Sequence, residues 1–126
     1  MNENEIAHIV FNLGIKVHKE IGPGLLESVH EECLHMELLE QGLNTQKQVS
    51  LPVKYRDRLL NGSFRADLII ENKFLIELKC VNELNNLHLA QTLTYLKMTN
   101  IKLGMLINFN TPLFKDGVRR VINGRL

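Results

Sequence analysis

Two carboxylates and a lysine interrupt neighbouring apolar stretches of this 126-residue chain. Asp67 lies within the run Phe-Arg-Ala-Asp-Leu-Ile-Ile, and Glu77-Leu78-Lys79 ends the next run. Both runs have the apolar and β-branched content of buried strands, where an uncompensated charge is costly. Because side chains alternate between the faces of a strand, Glu77 and Lys79 project from the same face. The spacing therefore predicts that two acids and an ammonium converge on one spot.

Residues of these types can bind a divalent cation and activate water. Mg²⁺, or Mn²⁺ in its place, is held by one or two carboxylates together with water and substrate phosphate. A nearby lysine can orient or deprotonate the attacking water. The alternative is a structural ion pair at an exposed sheet end, of Glu77 with Lys79 or of Asp67 with Arg65. The residues alone leave both interpretations open.

Length and composition are those of one globular domain covering residues 1–126. Hydrophobic residues make up 44% of the chain and charged residues 23%, which excludes wholesale disorder. The net charge is +1, so the global electrostatic field gives no indication of nucleic-acid binding. A local patch or a metal must provide such binding if it occurs.

The chain has the features expected of a cytoplasmic protein. Its apolar stretches fall far short of the roughly twenty residues that span a bilayer, and its N-terminus lacks a secretory signal, so we expect no membrane association. Two cysteines, Cys33 and Cys80, suit a reducing compartment. The sequence contains no Cys-x-x-Cys or His-x-x-x-His pair, which argues against structural zinc.

Hydrophobic periodicity predicts two amphipathic helices, over residues 3–20 and 25–41, separated by Gly22-Pro23-Gly24. Three strands in succession then suggest a meander. The strands are predicted over residues 45–55, where Pro52 marks an edge or a bulge, and over 64–71 and 73–80, with a turn over Asp57 to Gly62 between the first two.

A third helix over residues 85–99, capped by Asn85 or Asn86, leads to a buried strand over 101–109. Because a helix joins the two strands, this one should lie parallel to the strand at 73–80. Residues 111–117 are predicted to form a loop, and a short edge strand is expected at the end. The order α-α-β-β-β-α-β predicts an α/β sandwich of three-layer type with a mixed sheet.

This order of elements, together with the charged positions, resembles the PD-(D/E)XK nuclease superfamily. Its restriction-endonuclease-like core carries an acid on the second strand and E-x-K on the third, and Asp67, Glu77 and Lys79 stand at those places. More narrowly, the chain is similar to the small bacterial GxxExxY proteins. The matching segments are Gly24-Leu-Leu-Glu27-Ser-Val-His30, with His30 in place of tyrosine, Gln91-Thr-Leu-Thr-Tyr95 and Leu106-Ile-Asn-Phe109.

The resemblance implies a Mg²⁺-dependent nuclease that hydrolyses phosphodiester bonds of DNA. The implied metal ligands are Asp67, Glu77, Glu27 and the backbone carbonyl of Leu78. The implied catalytic set consists of the same three acids with Lys79 and Gln91. Glu27 would supply a third carboxylate from the second helix, and a solvated helix face is the alternative for it.

Four further residues are candidates for phosphate or substrate binding: Arg65, His88, Tyr95 and His30. Gln91 and Tyr95 are four residues apart and share a helix face, with His88 close to it. The alternatives are structural, namely a half-buried aromatic for Tyr95, a helix cap for His88 and an ion pair with an acid for Arg65.

Two rival functions stand beside the nuclease. The chain could bind nucleic acid without cleaving it, or it could be a protein-interaction subunit of a larger assembly. A homodimer is compatible with all three functions. So small a domain offers little surface to hold a duplex, and two copies would place two sites on two strands. Metal affinity would favour the enzyme, and its absence would favour the rivals.

Overall fold

The computed structural model describes residues 1–60 and 64–126. Within these ranges the helices are α1 (Glu3–Ile21), α2 (Glu27–Glu40) and α3 (Asn86–Thr99), and a short 3-10 helix covers Phe114–Gly117. The strands are β1 (Thr45–Ser50), β2 (Val53–Tyr55), β3 (Arg58–Leu60), β4 (Arg65–Ile70), β5 (Phe74–Lys79), β6 (Leu103–Asn108) and β7 (Val118–Ile122).

A five-stranded mixed sheet has the order β1-β4-β5-β6-β7. The first three strands in that order are antiparallel neighbours and form the predicted meander. β6 pairs with β5 in parallel, because α3 carries the chain across the sheet between them, and β7 adds an antiparallel edge. The predicted α/β sandwich with a mixed sheet is confirmed.

The alternating side chains of β5 divide the core into two parts. Phe74, Ile76 and Leu78 pack in the cluster that α1 and α2 cover, whereas Leu75 packs in the cluster that α3 covers. By the same alternation Glu77 belongs to the α3 face. The sheet therefore lies between two helical layers, with Glu77 on the face that α3 covers.

Helix ends place two segments beside the sheet. Asn85 caps α3 with its side chain, as predicted, and forms a capping box with His88. The segment between α1 and α2 contains Gly22 and Gly24, both with positive φ, and it turns the chain so that α2 begins at Glu27. In the ranges described, no helix combines the length and apolar character needed to cross a membrane.

The predicted strand over residues 45–55 is in fact two strands. β1 ends at Ser50, and β2 leaves the main sheet to pair with β3 as a separate hairpin. Pro52 lies at this division, because it has no N–H to continue a ladder. The predicted turn over Asp57 to Gly62 is wrong for Arg58–Leu60, which form β3, and Asn61 and Gly62 lie outside the described residues.

One further prediction needs correction. The segment over residues 111–117 is not wholly a loop, since Phe114–Gly117 form the 3-10 helix. The buried ring of Phe114 packs into the α1 cluster and anchors this turn. The predicted edge strand is present as β7.

Candidate active site

The backbone ladder between β4 and β5 ends one residue before Asp67 and Glu77. Backbone pairing of the two strands stops at Leu68 and Ile76. Beyond that point the main-chain N–H of Asp67 donates to Oε1 of Glu77 at 3.0 Å, and the N–H of Leu78 donates to Oδ2 of Asp67 at 2.8 Å. Each carboxylate thus accepts a main-chain N–H of the opposite strand. The two acids are held side by side by the backbone.

Gln48 holds Asp67 from the other side. Backbone pairing of β1 with β4 passes from Lys47 to Val49 without Gln48, whose φ is 52°. A residue other than glycine is strained in this left-handed conformation. The amide of Gln48 donates to Oδ1 of Asp67 at 3.1 Å and to Oε1 of Glu31 on α2. The local distortion of β1 therefore links a strand acid to a helix acid.

Glu27 and Lys79 belong to the same electrostatic cluster. Glu27 is the first residue of α2, and its charge and that of Lys79 both act on the carboxyl of Glu77. Partial burial and the nearby Asp67 raise the pKa of Glu27, while Lys79 opposes the rise. Lys79 is half-buried at the end of β5. The charges of Glu27, Asp67, Glu77 and Lys79 thus act on one another at one end of the sheet.

Burial makes full ionisation of this cluster unfavourable. Glu77 is only 4% exposed, and burial, with the neighbouring Asp67 carboxylate, raises its pKa to about 8. Burial also raises the pKa values of Asp67 and Glu31, although the Leu78 N–H and Gln48 oppose this for Asp67 and Gln48 opposes it for Glu31. Like charges in a poorly solvated place disfavour one another. The cluster has an excess of acid that a cation would relieve.

The structural ion pairs considered as an alternative do not form in the described part of the chain. There, ion pairs within 4 Å join Lys16 to Glu37 and Lys47 to Glu32, and none involves the strand acids. The carboxylates of Asp67 and Glu77 instead accept hydrogen bonds from neutral N–H groups. A structural salt bridge therefore does not account for these two acids.

A comparison with known proteins identifies the family to which this chain belongs. A family model described as PD-(D/E)XK nuclease superfamily matches residues 4–121. The chain belongs to the PD-(D/E)XK nuclease superfamily. No curated protein matches it at a significant level.

A solved structure shares the fold of this superfamily member. The crystal structure of SSO0001 matches with a TM-score of 0.54 and 24% sequence identity, over 79% of this chain and 51% of the other. This chain thus spans about half the length of that protein. At this identity the likeness shows the fold alone.

Nucleases of the PD-(D/E)XK superfamily generally use divalent metal ions. Across the described residues, no three His, Cys, Asp or Glu side chains are gathered as a ready metal site. Mg²⁺ needs only one or two protein carboxylates, because water and substrate complete its shell. Asp67 and Glu77 meet that requirement. Glu27 and the backbone carbonyl of Leu78 are the further ligands expected from the sequence. The donor set fits a hard divalent cation.

The polar face of α3 approaches the acids. Gln91 donates from Nε2 to Oη of Tyr95 at 3.0 Å, so the two residues share a face as the spacing predicts. Burial and the charge of Glu77 raise the pKa of Tyr95. This rise keeps the phenol protonated, and because its oxygen accepts from Gln91, its O–H is left to donate to another group. Tyr95 is thus a neutral donor near the strand acids.

The structure gives His88 and Arg65 different surroundings. His88 accepts the N–H of Asn85 through Nδ1 and so serves as the helix cap that was its structural alternative. Arg65 is exposed at the start of β4, and within residues 1–60 and 64–126 it makes no ion pair with an acid. Arg65 keeps its charge available at the rim of the site.

The structure does not support the predicted substrate contact of His30. The ring is fully buried and stacks on Phe109, with 4.4 Å between the ring centroids. Nε2 lies 2.9 Å from the carbonyl oxygen of Gly22, and Nδ1 lies 3.3 Å from that of Leu26. His30 therefore fixes the segment before α2 from inside the core, and thereby the position of Glu27.

Sequence reasoning missed Gln48 and Glu31. A glutamine within a polar strand has no periodic signal, and its role follows from one left-handed residue that only the structure reveals. Glu31 is buried and accepts a hydrogen bond from the amide of Gln48, a contact between α2 and β1 that has no signal in the local sequence. Asn108 was also missed as a support. Its side chain bonds both backbone groups of Val81 and anchors the chain after Lys79.

Proposed function

We propose that this chain is a divalent metal-dependent nuclease that hydrolyses phosphodiester bonds of DNA, with Mg²⁺ or Mn²⁺ as its metal. One observation carries the proposal. In a member of a nuclease superfamily, the backbone holds Asp67 and Glu77 side by side where β4 and β5 separate. The adjacent Lys79 completes the acid and lysine pattern that this chemistry needs.

We also propose that the chain is one of the GxxExxY proteins within the superfamily. The segment from Gly24 to His30 supports this, because it delivers Glu27 to the acid cluster at the start of α2. The buried ring of His30 supports the same turn from within. In this proposal the last position of the motif has a structural role.

The metal would be held by Asp67, Glu77, Glu27 and the carbonyl of Leu78. When bound, such a cation polarises phosphate oxygens and lowers the pKa of water. The remaining work belongs to side chains around it. Lys79 places an ammonium next to the phosphate, where it neutralises developing negative charge and orients the attacking water.

Residues of α3 and β4 would position the phosphate. The phenol of Tyr95 can donate to a phosphate oxygen, and Gln91 fixes the orientation of that phenol through its bond to Oη. Arg65 at the start of β4 adds a cation for the neighbouring phosphate. His88 serves this arrangement indirectly, by capping the helix that carries Tyr95.

The test measures metal binding and cleavage in the same samples. Mg²⁺ and Mn²⁺ are titrated by calorimetry into wild type, Glu77→Gln and Lys79→Ala, and each sample is assayed on supercoiled, linear and single-stranded DNA. We expect Glu77→Gln to lose metal binding, and both variants to lose about 100-fold or more in cleavage. Glu40→Gln and Lys102→Ala are matched controls, since both residues are exposed and lie outside the acid cluster.

The outcomes separate the nuclease from its rivals. Cleavage that both controls keep and both site variants lose supports the proposal. A wild type that binds neither ion and cuts no DNA overturns it. DNA binding without cleavage under every metal condition would instead indicate a binding module on the same fold.

A further inference from the structure

A groove of about 630 Å³ lies between α3 and the residues around the β2–β3 hairpin. Its walls are mainly apolar, and they include Val53, Phe64, Leu87 and Met98. Phe64 is 44% exposed and Leu87 is 76% exposed, although both are large apolar side chains. Grooves of this size with apolar walls and a few polar groups are typical ligand sites. The groove therefore has the size and the lining of a binding site for a mainly apolar group.

The polar end of the groove adjoins the strand acids. Gln91 and Tyr95 line the groove, and Tyr95 is close enough to Glu77 and Asp67 for their charges to act on its hydroxyl. The ring of Phe64 lies 6.2 Å from that of Tyr95, centroid to centroid, and is tilted by 60°. The two rings thus contact each other, and a molecule that stacks on the exposed ring of Phe64 would have its polar end near Tyr95 and the strand acids.

The β2–β3 hairpin carries a local positive charge that the whole chain lacks. The five residues from 54 to 58 contain three cations, Lys54, Arg56 and Arg58, and one acid, Asp57. The whole chain has a net charge of only +1. In the part of the chain that the structure describes, none of the three cations forms an ion pair. Lys54 also lines the groove. Arg56 and Arg58 instead line a separate hollow with Tyr55 and Asp57 at the tip of the hairpin, so these cations lie beside the groove, where they can contact phosphates that flank a bound group.

An aromatic side chain accompanies these cations. Tyr55 is 63% exposed, and the guanidinium of Arg56 lies 5.5 Å from the centroid of its ring. Cations interleaved with exposed aromatic rings are the surface that single-stranded nucleic acids use, because bases stack on the rings and phosphates contact the cations. A duplex keeps its bases paired and could not place one in the groove without unpairing it.

We propose that the groove binds an unpaired nucleobase of a single-stranded nucleic acid, with the hairpin cations holding the flanking phosphates. The base lies between Phe64 and the apolar face of α3, and the amide of Gln91 meets its polar edge. The ligand would be the strand that the nuclease cuts, so this inference rests on the proposed function. Binding itself does not require metal or cleavage.

The test is the anisotropy of a labelled thymidine oligonucleotide and of a matched duplex, both in EDTA. We expect the wild type to bind the single strand more tightly than the duplex. Phe64→Ala should weaken single-strand binding about 5- to 150-fold, which is the range for losing one stacked base. Leu113→Ala, an exposed leucine outside the groove, should leave it unchanged.

The charge part of the proposal has its own readout. The double variant Arg56→Ala and Arg58→Ala should reduce the slope of log affinity against log salt by about 1.4, because each phosphate contact to a single strand contributes about 0.7. A double variant of the exposed Lys102 and Arg125 to alanine is the control and should keep the wild-type slope. An unchanged slope in the hairpin variant would count against the proposal.

Leu87→Ala guards against a folding defect in Phe64→Ala. Leu87 is highly exposed, so truncating it should leave the melting temperature unchanged while it weakens single-strand binding several-fold. The inference is overturned if duplex and single strand bind equally and neither groove variant matters. It is also overturned if the groove variants alter only self-association by size-exclusion chromatography.

The binding assay also distinguishes this inference from the nuclease proposal. Single-strand binding that depends on Phe64, in a protein that cuts nothing, supports the groove and rejects the nuclease. Cleavage of duplex and single strands alike, unaffected by Phe64→Ala, rejects the groove and supports the nuclease.

Discussion

The main-chain N–H of Asp67 donates to Oε1 of Glu77 across 3.0 Å, at the point where the two strands stop pairing. Because Asp67 in turn accepts from the N–H of Leu78, neither acid can leave without freeing a main-chain donor. The pair is thus maintained in metal-free protein despite its mutual repulsion. Holding the two carboxyl groups side by side therefore has an electrostatic cost, which depends on pH and on bound cations.

Metal-free protein should lose stability as pH rises from about 5 to 8. Folded Glu77 keeps its proton up to a pKa of about 8, whereas the ordinary value is 4.5. Between these values the folded state binds more protons than the unfolded state, so the free energy of unfolding falls by up to about 1.4 kcal/mol per pH unit from this group. The stabilisation is complete below the lower value. Urea unfolding in EDTA at several pH values measures it.

Glu77→Gln is the control for this pH effect. The amide oxygen can still accept from Asp67 but cannot ionise, so the variant should have a shallower pH dependence and exceed wild type in stability at pH 8. The burial-raised pKa values of Asp67, Glu27 and Glu31 should leave a residual slope. Identical slopes in variant and wild type would show that Glu77 is not the group responsible.

Divalent cations should reverse the loss of stability at high pH. A cation binds ionised carboxylates, so Mn²⁺ or Mg²⁺ should raise the melting temperature more at pH 8 than at pH 6 and should release protons on binding. Calorimetry in two buffers of different ionisation enthalpy counts those protons. Glu40→Gln should behave as wild type, and a melting temperature insensitive to both ions would contradict the prediction.

Much of the fold could be predicted because its signals are local. Helical periodicity located the three helices, and the crossover through α3 predicted the parallel pairing of β5 and β6. The hairpin was missed because alternation over residues 45–55 shows that a strand is present without showing its partner. Which strand pairs with which depends on contacts far apart in sequence.

The candidate site was predictable only in part, because some of its contacts also join residues far apart in the sequence. Asp67, Glu77 and Lys79 stand out because charges interrupt apolar runs. The burial of His30 depends on Phe109, a residue remote in the chain, and the role of Gln48 depends on an unusual backbone angle. Neither leaves a mark in the local sequence, so both residues needed the structure.

His30→Ala should destabilise the fold, although it removes no proposed metal ligand. The variant removes a fully buried ring that stacks on Phe109 and bonds the carbonyl of Gly22, so we expect a loss of about 2–4 kcal/mol in the free energy of unfolding. Denaturant titration measures the loss. His88→Ala, which removes only part of a helix cap, should cost about 1 kcal/mol. Equal losses in the two variants would refute this structural role for His30.

The amide of Gln48 should lower the electrostatic cost of ionising Asp67 and Glu31 close to each other. In Gln48→Ala both carboxylates lose a shared donor, and since that donor lowers both pKa values, metal binding should need a higher pH. Gln48→Gly removes the same amide but also relieves the left-handed backbone, so it should be more stable than Gln48→Ala by about 1 kcal/mol. The pH dependence of Mn²⁺ affinity and urea unfolding measure the two effects separately. Gln46→Ala, an exposed neighbour on β1, should change neither, and an unshifted metal-binding profile in both Gln48 variants would show that the amide does not position Asp67.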